Sequence, residues 1–264
     1  MKIAVYQTEG TPGDAAANLD ALEHTAARAA RQGARLVICP EMYLTGYNIG
    51  DSTWQLAQPV TGEAFERTAC FARTHRIAVL LGYPEREGDA VYNAAMLVDA
   101  SGRLAANYRK THLYGSEEKR LFRPGESFAT ADIGGLALGI LICYDIEFPE
   151  PARLLALGGV RLVAVPTALK PADEDGAAQL IPARARENQV FVAYANRCGN
   201  EHGVRFCGQS RITAPDGRDL ARAASGEELL VTEVDPGAFA DVRAANPYLG
   251  DRRPELYGEL ANGT

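Results

Sequence analysis

Three polar residues at the ends of apolar stretches carry the types of side chain that could perform covalent catalysis. Glu41 follows LVICP, Lys110 follows RLAANYR and Cys143 follows LGILI. These stretches are predicted strands, and ligands of layered α/β proteins bind at the ends of strands. A carboxylate can act as a general base, an ammonium group can stabilise developing negative charge, and a thiol can act as a nucleophile. The three residues therefore form a candidate catalytic set.

Each member of this set also has an ordinary structural explanation. Cysteine is among the most buried residue types, so Cys143 alone could belong to the core. Glu41 could be a surface carboxylate, and Lys110 could be a solvated lysine. The position of Cys143 favours a functional role, because a predicted helix begins near Phe148 or Pro149. The positive end of that helix and a nearby lysine would favour the thiolate.

A cysteine–histidine dyad is the alternative arrangement for a nucleophilic thiol. His24 and His75 lie in predicted helices, and His202 lies in a polar loop. His112, two residues after Lys110, is the best placed of the four histidines. We expect His112 to support the site rather than act as the base, because the strand that carries Lys110 is not expected to reach residue 112.

No sequence feature points to a metal or an organic cofactor. Cys198, His202 and Cys207 lie close in sequence, but their spacing matches no zinc pattern and a fourth ligand is not evident. The glycine-rich GGLALG at 134–139 enters a strand instead of opening a helix, and there is no GxxxxGK[ST] loop. We therefore expect neither a metal nor a cofactor.

The composition is that of a globular protein and excludes several function classes. The 264 residues are 47% hydrophobic and 23% charged. No apolar run approaches the roughly 18 residues of a membrane span. The net charge of -7 disfavours nucleic acid and anionic membranes as partners. Five cysteines without a secretion signal indicate free thiols in the cytoplasm.

Apolar strands alternate with amphipathic helices along the chain, and we expect a single domain over residues 1–264. Interleaved strands and helices predict an α/β layered protein, and hairpins predict mixed sheets. Strands are predicted at 2–7, 34–40, 77–84, 136–145, 161–168, 189–197, 206–215 and 229–235, with a hairpin of 91–100 and 103–110. Helices are predicted at 15–32, at 61–76 with Thr61 as its N-cap, at 148–157 and at 174–188.

Three segments in order resemble the signature segments of the nitrilase, or carbon–nitrogen hydrolase, superfamily. They are PEMYLTGY (40–47), YRKTHLYGSEEKRLFRPGE (108–126) and LICYDIEFPEPAR (141–153). The similarity continues through RARENQVFVAYANR (184–197) and GQSRITAPDG (208–217), and so covers essentially the whole chain. It implies a four-layer α-β-β-α sandwich that assembles as a homodimer or a larger homo-oligomer.

The same resemblance implies a Glu–Lys–Cys triad on Glu41, Lys110 and Cys143. It also implies a second glutamate after the lysine, which we assign to Glu118, with Glu117 as the alternative register. LTGYNIGD (44–51), CYDIEFPE (143–150) and NPYLGDRRPELY (246–257) are most similar to aliphatic amidases of the 5-aminopentanamidase and R-stereoselective amidase type.

The implied reaction is hydrolysis of a small aliphatic carboxamide, with ω-amino amides among the candidate substrates, to the acid and ammonia through a Cys thioester. The alternatives are an N-carbamoyl amine or acid, then a nitrile, and a non-catalytic binding or scaffold protein on the same fold.

Further residues are candidates for contact with the amide substrate. Lys110 and the backbone N–H of Tyr144 are expected to bind the oxyanion, and Tyr47, Tyr144 and Thr167 to line the acyl pocket.

Asp145 and Glu147 follow the nucleophile and could bind a substrate ammonium. An equally good explanation of Asp145 is a structural pair with Arg184 or Arg186.

Overall fold

Two mixed six-stranded sheets form the centre of the computed structural model, which describes residues 1–261. The strands are β1 (Lys2–Gln7), β2 (Ala34–Ile38), β3 (Ala78–Glu87), β4 (Ala90–Val98), β5 (Leu104–Arg109), β6 (Ala129–Ile133), β7 (Leu136–Ile140), β8 (Leu162–Thr167), β9 (Phe191–Asn196), β10 (Asn200–Glu201), β11 (Val204–Arg205), β12 (Arg211–Thr213), β13 (Asp219–Arg222) and β14 (Glu228–Glu233). The helices are α1 (Ala15–Arg31), α2 (Ser52–Leu56), α3 (Glu63–His75), α4 (Gly115–Leu121), α5 (Pro149–Leu157), α6 (Glu174–Asn188) and α7 (Ala240–Ala245).

The two sheets have corresponding arrangements of strands. The first sheet has the order β14-β1-β2-β3-β4-β5, and the second has the order β13-β12-β9-β8-β7-β6. β1, β2 and β3 are parallel, as are β7, β8 and β9, and the other pairings are antiparallel. The predicted mixed sheets are therefore confirmed.

Side chains that alternate along each strand divide the core into layers. On β1, Ile3 and Val5 pack in the cluster shared by the two sheets, whereas Ala4 faces the cluster that includes α1 and α3. Leu155 of α5 and Ile181 of α6 cover the other face of the second sheet. The arrangement is the predicted four-layer α-β-β-α sandwich, in which apolar strands are buried on both faces.

Some predicted element boundaries were wrong. The helix expected at 61–76 begins at Glu63 with Gly62 as its N-cap, so Thr61 does not cap it. The strand expected at 136–145 ends at Ile140, and residues 143–147 instead form a 3₁₀ turn. The late strand expected at 206–215 is shortened to residues 211–213, and residues 206–210 form a loop after the small hairpin of β10 and β11.

None of the helices within residues 1–261 is both long and apolar enough to cross a bilayer.

Candidate active site

Glu41 lies in a buried turn that follows β2. Met42 has a φ of 52°, and the Leu44 N–H donates to the Gly82 carbonyl at 3.0 Å. A Cβ at Gly82 would lie 2.4 Å from the carbonyl oxygen of Pro40, so only glycine lets β3 approach this turn so closely. The sequence thus positions the carboxylate through the close contact of two backbone segments.

Lys110 follows the last residue of β5 and remains fully buried. Its N–H donates to the Asn93 carbonyl at 2.8 Å, and its carbonyl accepts from the Gly125 N–H at 2.8 Å. These two backbone hydrogen bonds therefore fix the position of the Lys110 main chain, from which the long side chain extends.

Cys143 begins the 3₁₀ turn between β7 and α5. Its φ of 47° lies in the left-handed region, which a non-glycine residue adopts only when the surrounding structure holds it there. The backbone of Ala168 lowers the pKa of the Cys143 thiol, against the larger effect of burial. The nucleophile candidate is thus presented on a strained turn, at the same end of the sheets as Glu41 and Lys110.

The ammonium group of Lys110 joins two buried carboxylates. Lys110 Nζ donates to Glu41 Oε1 and to Glu118 Oε1, each at 2.7 Å. Asn93 Nδ2 also donates to Glu41 Oε1 at 2.7 Å. Within the part of the chain that the structure describes, the other oxygen, Glu41 Oε2, is buried without a hydrogen-bond partner. One oxygen of the carboxylate is thus held by two donors, and the other is left for a proton.

Glu118 lies on α4, a helix that was not predicted from the sequence. Its Oε1 accepts from the Tyr47 hydroxyl at 2.7 Å, and its Oε2 accepts from the Tyr114 N–H at 2.8 Å. Glu117 is exposed and pairs with Arg120 at 2.9 Å. The structure therefore places Glu118, and not Glu117, against the lysine.

Asn93 is a site residue that the sequence analysis missed. It lies within the apolar strand VYNAAMLV, is fully buried, and leaves its Oδ1 without a partner among the described residues. A buried amide in an apolar strand requires a specific polar partner. This requirement could have identified Asn93 as a candidate site residue from the sequence.

Burial dominates the electrostatics of the site. Burial raises the pKa of the Glu41 carboxyl, and the coulombic effect of Glu118 raises it further, while Lys110 opposes both. Burial alone would lower the pKa of Lys110, but the two carboxylates raise it well above its ordinary value. Burial and the neighbouring Glu41 raise the pKa of the Cys143 thiol, and Lys110 opposes them. These effects favour a protonated thiol, which suits a site where a neighbouring carboxylate takes the proton from sulfur.

A small pocket of about 20 Å³ opens at Cys143. An adjoining groove of about 220 Å³ shares three lining residues with this pocket, Tyr47, Tyr114 and Lys170. The pocket is lined by Tyr47, Tyr114, Cys143, Glu147, Ala168, Leu169, Lys170 and Asp173.

Two of the predicted substrate-contacting side chains, Tyr47 and Glu147, therefore line the pocket. Tyr144 instead packs edge-to-face against Tyr114 and Phe148. Thr167 is fully buried and donates to the Val165 carbonyl at 3.2 Å, so the expectation that it lines the pocket was wrong.

Asp145 does not reach the pocket, because its fully buried carboxylate bonds inward. The partners include the Tyr108 hydroxyl at 2.8 Å and the Ile142 N–H at 2.9 Å. The expected pairs of Asp145 with Arg184 or Arg186 were also wrong. Arg184 donates instead to the carbonyls of residues 146 and 147, at 3.0 and 2.6 Å.

His112 has the supporting position expected of it. Its ring stacks on Phe148 with centroids 4.2 Å apart, and its Nδ1 lies 2.8 Å from Asp145 Oδ1. The five cysteines are all free thiols, and among residues 1–261 no three His, Cys, Asp or Glu side chains form a group that could hold a metal ion. Cys207 Sγ accepts from Asn196 Nδ2 at 3.2 Å instead.

Comparison with known proteins agrees with this fold. Residues 2–244 match the family described as carbon-nitrogen hydrolase. The chain is 47% identical over 264 residues to a Pseudomonas protegens protein described as "Hydrolase in pqqF 5'region", covering 99% of this chain and 92% of that protein. It is 38% identical over 260 residues to an (R)-stereoselective amidase of Pseudomonas sp, covering 98% and 94% of the two chains.

Among solved structures, a double mutant of the amidase from Nesterenkonia sp. AN1 in complex with acrylamide superposes with a TM-score of 0.90. That enzyme is 38% identical to this chain, and the match covers 98% of this chain and 97% of the other. The chain therefore belongs to the carbon–nitrogen hydrolase family. Within this family it is an amidase of the nitrilase superfamily.

Proposed function

We propose that this amidase hydrolyses small aliphatic carboxamides to the acid and ammonia through a thioester at Cys143. The observation that carries the proposal is the difference between the environments of the two carboxylate oxygens of Glu41. Its Oε1 is held by Lys110 and Asn93, and its buried Oε2 has no partner among the described residues. A bare carboxylate oxygen beside a neutral thiol suits a general base that must take a proton from sulfur.

In the proposed mechanism Glu41 removes the thiol proton as Cys143 Sγ attacks the amide carbon. Lys110 and the N–H of Tyr144, at the start of the 3₁₀ turn, stabilise the oxyanion, each contributing about 3 kcal/mol. Glu41 then returns the proton to the departing nitrogen, the C–N bond breaks and ammonia leaves. Glu41 then deprotonates a water molecule, which attacks the thioester. The C–S bond breaks, the acid is released, and Glu41 returns the proton to sulfur to restore the free thiol.

The dimensions of the site support a small acyl group. A volume of about 20 Å³ at Cys143 leaves little room beyond the reacting amide. The remainder of an unbranched acyl chain would extend past Tyr47 and Tyr114 into the groove.

The pocket mouth supports an ω-amino substituent on that chain. Glu147 and Asp173 both line the pocket, and neither carboxylate has a hydrogen-bonded or ion-paired partner within the described residues. Local burial and the nearby Asp173 raise the pKa of Glu147. A substrate ammonium would relieve this repulsion, although Lys170 on the same rim restricts where such a group could bind.

The test is ammonia release from 5-aminopentanamide, hexanamide, an N-carbamoyl amine and a matching nitrile, with Cys143→Ala as the blank. We expect 5-aminopentanamide to give the highest kcat/KM and the blank to give none. Glu147→Gln and Asp173→Asn should reduce the preference for 5-aminopentanamide over hexanamide. Asp175→Asn, an exposed neighbour outside the pocket, should leave the preference unchanged.

Each other outcome contradicts a separate part of the proposal. Equal turnover of the two amides would refute ammonium recognition, and an active Cys143→Ala enzyme would refute the thioester. Turnover of the carbamoyl compound or the nitrile alone would change the substrate class. No turnover of any compound would favour a binding protein.

We also propose a homo-oligomer, a dimer or larger. Leu154 and Leu157 on α5, together with Tyr257 and Leu260 near the C-terminus, expose apolar side chains on one surface. Light scattering should give a multiple of the 28.3 kDa chain mass, and a monomer at micromolar concentration would contradict the proposal.

A further inference from the structure

A single buried carboxylate connects the two chain segments that carry the proposed nucleophile and the proposed oxyanion-binding lysine. Asp145 Oδ1 accepts from Thr111 Oγ1 and from the His112 N–H, each at 2.9 Å. Its Oδ2 accepts from the Ile142 N–H at 2.9 Å and from the Tyr108 hydroxyl at 2.8 Å. One oxygen therefore binds the segment just after Lys110, and the other binds the residue just before Cys143.

The two segments follow strands of different sheets, and among residues 1–261 the hydrogen bonds between them are those of Asp145. Lys110 follows β5 at the edge of the first sheet, and Cys143 follows β7 of the second sheet. A relative shift of about 1 Å between catalytic groups can reduce the rate by about 10²-fold. A bridge that fixes this separation would therefore affect the reaction directly.

The backbone at Cys143 requires such a restraint. Its φ of 47° lies in the left-handed region, which is unfavourable for a residue with a Cβ. Arg184 holds the far end of the same turn through the carbonyls of Ile146 and Glu147. Asp145 holds the near end, so the strained turn is fixed from two directions.

We infer that Asp145 is a positioning residue that sets the separation between Cys143 and Lys110 through these paired hydrogen bonds. The inference rests on the proposed roles of Cys143 and Lys110. Because Asp145 does not line the pocket, its loss should change the chemical step more than substrate binding.

Asp145→Asn tests the bridge with minimal change of shape. A carboxylate accepts through both oxygens, whereas a carboxamide accepts through one and donates through the other group. The variant can therefore accept from the Tyr108 hydroxyl and the Ile142 N–H, or from Thr111 and the His112 N–H, but not from both sets of donors. We expect kcat for the best amide to fall by about 10²-fold, with KM changed by less than about threefold.

Asp219→Asn is the matched control. Asp219 accepts from Thr213 Oγ1 at 2.6 Å and lies near Arg211, at the edge of the second sheet away from the pocket. It should lower the unfolding temperature without lowering kcat. An equal fall of kcat in this control would overturn the inference, as would a folded Asp145→Asn enzyme with a kcat close to wild type.

Alkylation by iodoacetamide gives a second readout that needs no substrate. Cys70 is exposed and serves as an internal reference in the same molecule. The labelling rate of Cys143 relative to Cys70 should fall at least about tenfold in Asp145→Asn, because the thiol loses its alignment with Glu41. An unchanged or higher labelling ratio would overturn the inference. This readout applies even if the wild-type enzyme turns over no amide, an outcome that would refute the proposed function and not the inference.

Thr111→Val tests the positioning role of Asp145 if Asp145→Asn does not fold. This change removes one donor to Asp145 Oδ1 and leaves the carboxylate and the Ile142 contact in place. A smaller fall in kcat and in the relative labelling of Cys143, at unchanged KM, is expected. No fall in either quantity would overturn the inference.

Discussion

Replacing Glu118 by glutamine removes one negative charge from a buried group of three charged side chains. The Lys110 ammonium lies 2.7 Å from both Glu41 Oε1 and Glu118 Oε1, so the two carboxylates share one cation. Glu118 is one of the groups that raise the pKa of Glu41, after burial. Its neutralisation should therefore lower the pKa of Glu41 and make the carboxylate a weaker base.

The geometry sets the size of this effect. The two Oε1 atoms cannot be farther apart than twice 2.7 Å, because both contact Lys110 Nζ. Two like charges about 5 Å apart at an effective dielectric constant of 20 repel by about 3 kcal/mol. This energy corresponds to about 2 pKa units. We expect Glu118→Gln to move the acidic limb of the kcat/KM profile by about 2 pH units to lower pH.

The assay is the pH dependence of kcat/KM for amide hydrolysis, which reports groups of the free enzyme. The sign follows from the role of Glu41: the acidic limb marks loss of the ionised base, so a lower pKa moves the limb to lower pH. Glu117→Gln is the control, because Glu117 is the adjacent residue but pairs with Arg120 at the surface. A Glu118→Gln profile that coincides with wild type, or shifts to higher pH, would refute the electrostatic account.

Two other variants test the oxyanion donor and the backbone contact. Lys110→Ala should reduce kcat by roughly 10²- to 10³-fold, and a near-normal rate in the ammonia assay would make Lys110 structural. Gly82→Ala should reduce the free energy of unfolding by about 1–3 kcal/mol in a denaturant titration, since its Cβ would meet the Pro40 carbonyl at 2.4 Å. Gly176→Ala, where nothing lies within 4 Å of the new Cβ, should not destabilise, and equal losses would contradict the contact argument.

The sequence contained enough local information to predict an α/β protein with mixed sheets and to select Glu41, Lys110 and Cys143 as candidates, whereas the four-layer arrangement was implied by the family resemblance. Long apolar strands are recognisable from their periodicity, and a polar residue at the end of each is conspicuous. The helix that carries Glu118 was not predicted, because GSEEKRL has only seven residues and little apolar periodicity. The assignment of Glu118 rested on family resemblance for that reason.

Other features depend on contacts between distant segments. Asp145 is followed closely by acidic and apolar residues, yet its partners Tyr108 and Thr111 lie more than thirty positions away and in the other sheet. The junction of a strand and a helix does not reveal how deeply the Cys143 thiol is buried, so the main cause of its raised pKa could not be predicted from the sequence. Asn93 was missed for the same reason: its partner is remote in sequence.

The proposed chemistry requires one group to release and recover a proton while another stays charged, and the cluster of Glu41, Lys110 and Glu118 serves both needs. Burial and Glu118 raise the pKa of Glu41, which favours a carboxyl that can return a proton as well as take one. The two carboxylates raise the pKa of Lys110, so its charge is retained when the oxyanion forms. Because Glu41 Oε1 is held by Lys110 and Asn93, proton transfer falls to Oε2, and the base can change its protonation without releasing the lysine.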